Sequence, residues 1–558
     1  MDYICTGIHL LPHRGKPLPT FNLADLFELA ADTLTDRLAV VAGDERRTYA
    51  ELDERATRFA NHLVGTGIAP GAHVAILSWN RMEWLVAMLG CFKARAVPIN
   101  VNYRYAADEL AHVLRDGEVV ALVAERAFLP LVAEVRPGLP GLGHVVVLED
   151  GTASGTPDGA GPTVGYEEAL AAASPERDGA PRSPDDRYVL YTGGTTGAPK
   201  GVVWRSEDLF FAALAGGNPS GPPIATPAQL ADVVARERRP WLVTSPLMHG
   251  NGQWNSLVPL LNGRGVVLWT GRRFDADAVA ALAAREAASL LVLIGDGMAL
   301  PFVEALERDP SAHDLSALRV LTSGGAVLSP GLKARLADLL PQATVVDGFG
   351  ASETGSNGRL VGTGEGAGPP RFAMGPDTAV LGDDLRPVAI GDVGRLARRG
   401  HVPLGYWNDP DKTAATFPTD EAGVRWAIPG DLARPEDDGT ITLLGRGSTC
   451  INTGGEKVHP EEVAVAVKTH PDIADAIVVG APDARFGQRV VAVVALRPGE
   501  STDLDSVRAH LRPLLAGYKA PRQLVVTDDL RYTPQGKPDL RWAADLVATS
   551  IPTSTTER

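Results

Sequence analysis

Between Thr48 and Ala124 the chain alternates between a helical period and short apolar runs, and this restricts its fold more than any other feature. Residues 48–66 place Leu52, Ala56, Phe59 and Leu63 on one helical face. His73–Ser78 then reads as a buried strand, and Glu83–Ala94 returns to helix with Trp84, Ala87, Leu89 and Phe92 along a stripe. Ala96–Asn100, a helix around Asp108–Arg115, and Val119–Ala124 follow. Strands separated by helices imply a parallel sheet covered on both faces, so the expected class is α/β.

A second alternation runs from Ala276 to Leu321, and strands and turns dominate from about residue 375 to Leu444. Residues 151–186, rich in Gly, Ala, Pro and Ser, read as a surface excursion with one helix near Tyr166–Ala173. Residues 216–240 form a proline-rich insertion with a helix at about Ala228–Glu237, just before a strand at Trp241–Pro246. That insertion reads as a spacer or as a border of the substrate pocket. After residue 447 a compact α+β pattern begins: helix Pro460–Thr469, strands Ala474–Gly480 and Val490–Arg497, helix Leu504–Leu515, strand Gln523–Val526. The expected layout is a large N-terminal domain (1–446) of parallel-sheet αβ layers with a β-rich subdomain, then a small C-terminal domain (447–558). A chain of 558 residues has room for several domain-sized units.

The balance of 53 Lys and Arg against 68 Asp and Glu, net −15, argues against a nucleic-acid binder, which would carry a basic face. Cys5, Cys91 and Cys450 lack the spacing of a disulfide framework or zinc site. The N-terminus scatters Asp2, His9, His13 and Arg14 among apolar residues, unlike a signal peptide, and no apolar run approaches ~20 residues. A cytoplasmic location is expected.

Residues 191–201, Tyr-Thr-Gly-Gly-Thr-Thr-Gly-Ala-Pro-Lys-Gly, gather glycines, threonines and a lysine in one turn. Glycine lets the backbone approach a ligand, consecutive N–H and hydroxyl groups make a concave nest for phosphate oxygens, and Lys200 adds a mobile cation. A flexible surface turn would account for the glycines but not for the threonines and lysine. The Walker pattern fails because Pro199 precedes Lys200 and Gly201 follows it. The dinucleotide pattern G-x-G-x-x-G fails because Gly193 and Gly194 are adjacent.

The loop resembles the phosphate-binding signature of the adenylate-forming superfamily, which includes acyl-CoA synthetases, firefly luciferase and peptide-synthetase adenylation domains. Further segments carry the resemblance in order along the chain: Phe349-Gly350-Ala351-Ser352-Glu353, Gly430-Asp431, Gly445-Arg446 with Gly454-Gly455-Glu456-Lys457-Val458, and Thr533-Pro534-Gln535-Gly536-Lys537. It implies that Thr192, Gly193, Gly194, Thr195, Thr196 and Lys200 hold ATP phosphates. It also implies that Glu353 ligates Mg²⁺, that Asp431 binds the ribose hydroxyls, that Arg446 adds a ribose or phosphate contact, and that Lys537 is the catalytic lysine of adenylation. These residue types suit the chemistry. A carboxylate attacking a phosphate brings two anions together, so the site needs cations and oriented donors.

Gly324, Gly325 and Ala326 read as thin backbone for adenine or an acyl chain and Asp347 as an acceptor for the adenine amino group, with ordinary turn roles as the open alternative for each. Gly348, Phe349, Gly350, Ala351 and Ser352 complete the nucleotide wall. His249 resembles the family's histidine at the acyl-pocket entrance, with Trp254, Gly324 and Gly350 lining the same pocket. For transfer to CoA, the resemblance implies that Gly454 and Gly455 pass the pantetheine arm beside Glu456, that Phe486 stacks on the CoA adenine, and that Lys519 and Arg522 meet its phosphates. The small domain is expected to swing between two orientations, one for each half-reaction.

The chain departs from the family pattern at Ser352, at Gly194, and at the hinge, where Ser448 and Thr449 replace commoner charged residues. Together with Trp204, the His249–Trp254 segment and the 216–240 insertion, the hinge run looks like that of bacterial fatty-acyl and steroid-side-chain CoA ligases. The expected function is an ATP-dependent acyl-CoA ligase for a bulky hydrophobic acid (fatty, steroid or terpenoid). Two alternatives stay open: a ligase that only thioesterifies a preformed acyl-adenylate, and a non-catalytic adenylate- or acyl-CoA-binding protein. A homodimer, and an acyl-carrier protein in place of CoA as acceptor, also stay open.

Overall fold

The computed structural model describes residues 19–152, 155–192, 199–236, 238–326, 328–361, 371–446, 449–453, 456–483, 486–515, 517–533 and 537–550. Among these residues the long strands assemble into three sheets. The alternation read from the sequence is present: helices Tyr49–Gly65, Met82–Lys93 and Ala107–Asp116 alternate with strands His73–Leu77, Val97–Asn100 and Val119–Glu125, which pair in parallel. Thr48 and Glu51 start the first helix as a capping box, with Thr48 N donating to the Glu51 carboxylate at 2.8 Å. That helix packs closely on Met82–Lys93 because Gly90 has no side chain. A Cβ there would lie 2.7 Å from the Phe59 ring and 3.0 Å from the Ala56 carbonyl.

The eight-stranded sheet extends from Thr163–Gly165 through His144–Leu148, Val119–Glu125, His73–Leu77 and Val97–Asn100 to Arg187–Thr192, Lys200–Arg205 and Gly405–Tyr406. The thirteen-stranded sheet has a parallel block of Leu38–Ala42, Val266–Leu268, Trp241–Val243, Leu290–Leu293, Val320–Gly324 and Thr344–Ala351. In each sheet a strand at the end of the parallel block changes to antiparallel pairing within a hairpin. Arg187–Thr192 runs parallel to Val97–Asn100 but antiparallel to Lys200–Arg205. Thr344–Ala351 runs parallel to Val320–Gly324 but antiparallel to Gly355–Val361. Both hairpins therefore turn at carboxyl ends of parallel strands, the edge where open α/β sheets gather ligands.

The largest core includes Phe27, Tyr49, Phe59, Trp84, Tyr188, Trp204 and Phe210, all fully buried. The 216–240 insertion belongs to it. Its helix is shorter than expected, Leu230–Val234 after a single tight turn, and it buries Leu230, Val234 and Ile224. Arg37 ties it down by donating to the Val234 carbonyl at 3.0 Å. The 151–186 excursion contributes the edge strand Thr163–Gly165 and the helix Tyr166–Ala172, and its arginines return to the core.

The third sheet comprises Glu456–Val458, Ile451–Thr453, Gly487–Leu496, Ile473–Asp483 and Gln523–Thr527. Alternate residues of Gly487–Leu496 face opposite ways. Val490, Ala492 and Val494 meet Val463, Val467, Val507 and Leu511, while Val491 and Val493 meet Ala543 and Val547. Two boundaries differ from expectation. The helix from Leu504 ends at Leu511, because Pro513 has no N–H to carry the hydrogen-bond ladder onward, although Arg512 before it keeps helical angles. A terminal helix, Leu540–Thr549, was not anticipated; Asp539 caps it by accepting from Trp542 N at 3.0 Å.

A buried ion network binds three helices of the large core to the excursion. Lys93 Nζ lies 2.5 Å from Glu28 and 2.7 Å from Asp53, Arg182 reaches Glu28 at 3.0 Å, and Arg177 reaches Asp53 at 2.8 Å. Burial opposes the Glu28 charge, but Lys93, Arg182 and Arg177 override it and hold its pKa down from 4.5 to about 2. A depressed carboxylate pKa adds stability above the unfolded value, and that stability is lost as pH falls through the folded value. Glu28→Gln should therefore cost about 3 kcal/mol at pH 6, a deficit that shrinks below about pH 4.5 and vanishes near pH 2 in urea titrations.

Candidate active site

Thr192 and Lys200, the described residues that flank the segment read as an anion loop, are register partners in an antiparallel pair. The Thr192 hydroxyl points at the Lys200 carbonyl, 3.5 Å away. Gly193, Gly194, Thr195 and Thr196 lie outside the described residues. The Lys200 ammonium is ion-paired with Asp409, which also caps the helix Pro410–Thr416. It stands 6.0 Å from the centre of the Tyr406 ring. The Tyr406 hydroxyl in turn donates to Glu353 Oε1 at 2.8 Å. Tyr406 pairs in register with Val202 on the hairpin's second strand, which fixes this relay. Trp204, on the same strand, donates Nε1 to the Ser352 carbonyl at 3.0 Å. Residues from distant parts of the chain thus bring the lysine and the glutamate together.

Two asparagines organise the opposite wall. Asn100, buried at the end of its strand, accepts from Tyr191 N at 2.7 Å. Its amide donates to the Tyr191 carbonyl at 2.9 Å and to the Met248 carbonyl at 2.7 Å. Thr192 and His249, each one residue further along, are held side by side as a result. Asn80 grips the same segment from the other side, accepting from Leu247 N at 2.7 Å and donating to the Ser245 carbonyl at 3.1 Å. His249 is partly buried, and its Nε2 is enclosed without a hydrogen-bond partner. Burial first, then the charges of Lys537 and Arg104, push its pKa down to about 3. Lys537 itself closes a hairpin: Thr533 N donates to its carbonyl at 2.6 Å, and its own N donates to the Thr533 hydroxyl at 3.2 Å.

The helix Gly250–Leu261 begins at His249 and carries Trp254 in its second turn, partly buried. Asn251 donates to the Gly324 carbonyl at 2.7 Å, placing Gly324, Gly325 and Ala326 beside the start of this helix. Gly348 lies opposite Gly324 in the register of the parallel sheet. Phe349 packs on Phe372 with ring centres 4.7 Å apart. Gly350 turns against its own hairpin, where a Cβ would sit 2.1 Å from the Gly355 carbonyl. Ala351 N donates to Thr354 Oγ1 at 3.1 Å, which shapes the turn that presents Ser352 and Glu353.

The Asp347 carboxylate, read as an acceptor for the adenine amino group, is buried, and its Oδ2 is paired with the buried Lys333 ammonium at 2.8 Å. Burial pushes it above the usual aspartate range even against Lys333. Lys519 is likewise engaged, with its Nζ 2.7 Å from Glu462. Arg522 stacks on Phe486 at 4.0 Å and covers the ring expected to receive an adenine. Asp431 stands opposite Arg446 in an antiparallel register, after Gly430 in a left-handed conformation. The Arg446 and Glu456 side chains and residues Gly454 and Gly455 lie outside what is described.

The sequence did not point to Tyr406, Asp409, Asn80 or Asn100, since no local pattern marks a residue whose role is to join distant segments. Among the described residues no group of three or more His, Cys, Asp or Glu could hold a metal. A single carboxylate such as Glu353 still suits Mg²⁺, which commonly combines one or two protein carboxylates with substrate phosphates and waters.

Residues 27–407 match the family model described as AMP-binding enzyme. The chain belongs to that family. Residues 462–537 match the AMP-binding enzyme C-terminal domain. A medium/long-chain-fatty-acid–CoA/3-oxocholest-4-en-26-oate–CoA ligase from Mycobacterium marinum is 44% identical over 537 residues, covering 94% of this chain and 96% of the relative. A 3-oxocholest-4-en-26-oate–CoA ligase from Rhodococcus rhodochrous is 44% identical over 538 residues, with 94% and 95% covered. The crystal structure of the anthranilate CoA ligase AuaEII in complex with anthranoyl-AMP shares the fold with a TM-score of 0.80 at 24% identity, over 96% of this chain and 99% of that one.

Asn100→Ala should orphan Tyr191 N and the two carbonyls, lowering stability by about 3 kcal/mol and kcat/KM by about a hundredfold, read by denaturant titration and steady-state kinetics. His249 should stay neutral through neutral pH, so its imidazole NMR resonances should not titrate between about pH 5 and pH 8.

Proposed function

We propose that this protein is an ATP-dependent acyl-CoA ligase acting on a hydrophobic carboxylic acid. The observation that carries the reading is the joining of Glu353, through Tyr406 and its strand, to the hairpin of Thr192 and Lys200, with Asn100 tying Tyr191 to the segment that leads to His249. It brings a cation and a carboxylate together at the carboxyl ends of two parallel sheets, as joining a carboxylate to a phosphate requires.

In the first half-reaction a carboxylate oxygen of the acid attacks the α-phosphorus of ATP, and pyrophosphate leaves. Lys200 and the Thr192–Thr196 loop bind the departing phosphates; in the absence of ATP, Asp409 holds Lys200 in place. Mg²⁺ bound at Glu353 would neutralise phosphate charge there, and the Tyr406 hydroxyl orients that carboxylate. Lys537 stabilises negative charge developing on the α-phosphoryl and carboxylate oxygens. His249 stays neutral, so the pocket wall next to the acid adds no charge, which suits an apolar chain.

In the second half-reaction the CoA sulfur attacks the acyl carbonyl, AMP leaves and the thioester forms. The small domain pivots about the Arg446–Thr449 segment between the two steps, withdrawing Lys537 and bringing Gly454-Gly455 to the pantetheine arm. The names of the relatives support fatty and steroid-side-chain acids as the substrate class.

Purified protein incubated with ATP, Mg²⁺ and medium-chain, long-chain or 3-oxocholest-4-en-26-oic acid should yield acyl-AMP without CoA and acyl-CoA with it, measured by mass spectrometry. AMP release with no acid in that panel would overturn the reading. Lys537→Ala should reduce acyl-AMP formation by at least about a hundredfold and leave thioester formation from supplied acyl-AMP within a few-fold. An equal loss of both steps would contradict its assigned role.

A further inference from the structure

The contact between the large core and the small domain contains a buried charged relay that none of the motifs includes. Asp296 lies in the first turn of the helix Gly295–Arg308 and is buried. Its Oδ1 accepts from Ser329 N at 2.7 Å, and its Oδ2 meets Lys468 Nζ at 2.8 Å. Lys468 ends the helix Pro460–Val467 of the small domain, and the same ammonium meets Asp475 at 2.8 Å. The other oxygen of Asp475 accepts the Tyr532 hydroxyl. Tyr532 bridges to Pro538 at the base of the hairpin that carries Lys537.

The large-domain end of the relay is anchored. Gly295 N donates to Ser323 Oγ at 2.9 Å, and Ser329 opens the helix Pro330–Leu339. Asp296 therefore sits on a platform made by the backbone that flanks Gly324 and Gly325. Asp347 and Lys333, already paired with each other, are the adjoining charges.

We infer that Asp296 and Lys468 are positioning residues for adenylation, a charged latch that holds the Lys537 hairpin over the site. The inference rests on the role proposed for Lys537. A single Lys468 ammonium satisfies one carboxylate from each domain. Rotating the small domain separates it from Asp296 and leaves a buried aspartate without its cation. Breaking one partner of a buried pair is costly, so the latch biases the molecule toward the orientation in which Asp296 and Lys468 are paired. Asp475 and Tyr532 transmit the hold to the hairpin.

The test is Asp296→Asn, which keeps the Oδ1 acceptor for Ser329 N while removing the charge. Lys468→Met attacks the latch from the other domain, and Lys468→Arg is the conservative control. Acyl-AMP formation without CoA and thioester formation from supplied acyl-AMP are measured separately, alongside hydrogen exchange of the native and variant proteins. Asp296→Asn and Lys468→Met should lower kcat for adenylation at least tenfold while KM for ATP and acid changes less than threefold. Thioester formation should be equal to or faster than that of the native protein, and Lys468→Arg should recover most of the loss. Exchange should quicken around residues 529–540 and 460–475 but not in the strand Gly487–Leu496.

Unchanged adenylation in both variants would overturn the latch. So would an equal fall in both half-reactions, or a rise in exchange throughout the third sheet, since either marks a merely structural role. The native protein tested in parallel separates the two proposals. If it forms no acyl-AMP, the ligase reading fails. If it does and the variants match it, only the latch fails.

Discussion

The site depends on one buried amide. Asn100 uses its oxygen and its NH₂ group to join the strand that enters the anion loop to the segment that ends at His249. All three bonds lie where water does not compete, so the amide must either satisfy all of these groups or leave them stranded. Asn80 repeats the arrangement one strand away. Between them they fix a loop segment that has no regular pairing of its own, and so set where an acid can lie relative to the phosphates.

That wall is static, whereas the chemistry asks for movement. Lys200 and Glu353 belong to or flank strands of the two large sheets, while Lys537 stands on a small hairpin between the strand Gln523–Thr527 and the helix Leu540–Thr549. A reaction that first expels pyrophosphate and then admits a thiol needs different neighbours at one atom at different times. Lys537 lies outside those two sheets, and the Lys468–Asp296 pair joins the helix Pro460–Val467 to the large core. In the proposed mechanism the sheets supply the fixed geometry and that charged contact sets how long Lys537 stays.

Much of this architecture was legible in the chain. The parallel layers followed from helical stripes alternating with apolar runs, because each residue type reports its own local period. The motif residues were legible because loops that approach phosphate must be built from glycine, hydroxyl and lysine. The Lys333 partner of Asp347 was not legible, since its sequence neighbours suggested only a nucleotide contact and the pairing comes from a helix packed against the strand. Helix ends were read poorly where a proline or a cap decided them, as at Leu511 and Asp539.

The sequence by itself determined the fold class, the order of the motifs and the chemical kind of each ligand-facing group, because these are properties of neighbouring residues. Tertiary structure alone decided which distant residues complete them. It set Tyr406 on Glu353, Asp409 on Lys200, Asn100 between Tyr191 and Met248, and Lys468 between Asp296 and Asp475. Such partners carry no local signature. An asparagine or lysine looks the same whether water or a buried carbonyl satisfies it, and only the packed sheets choose between the two.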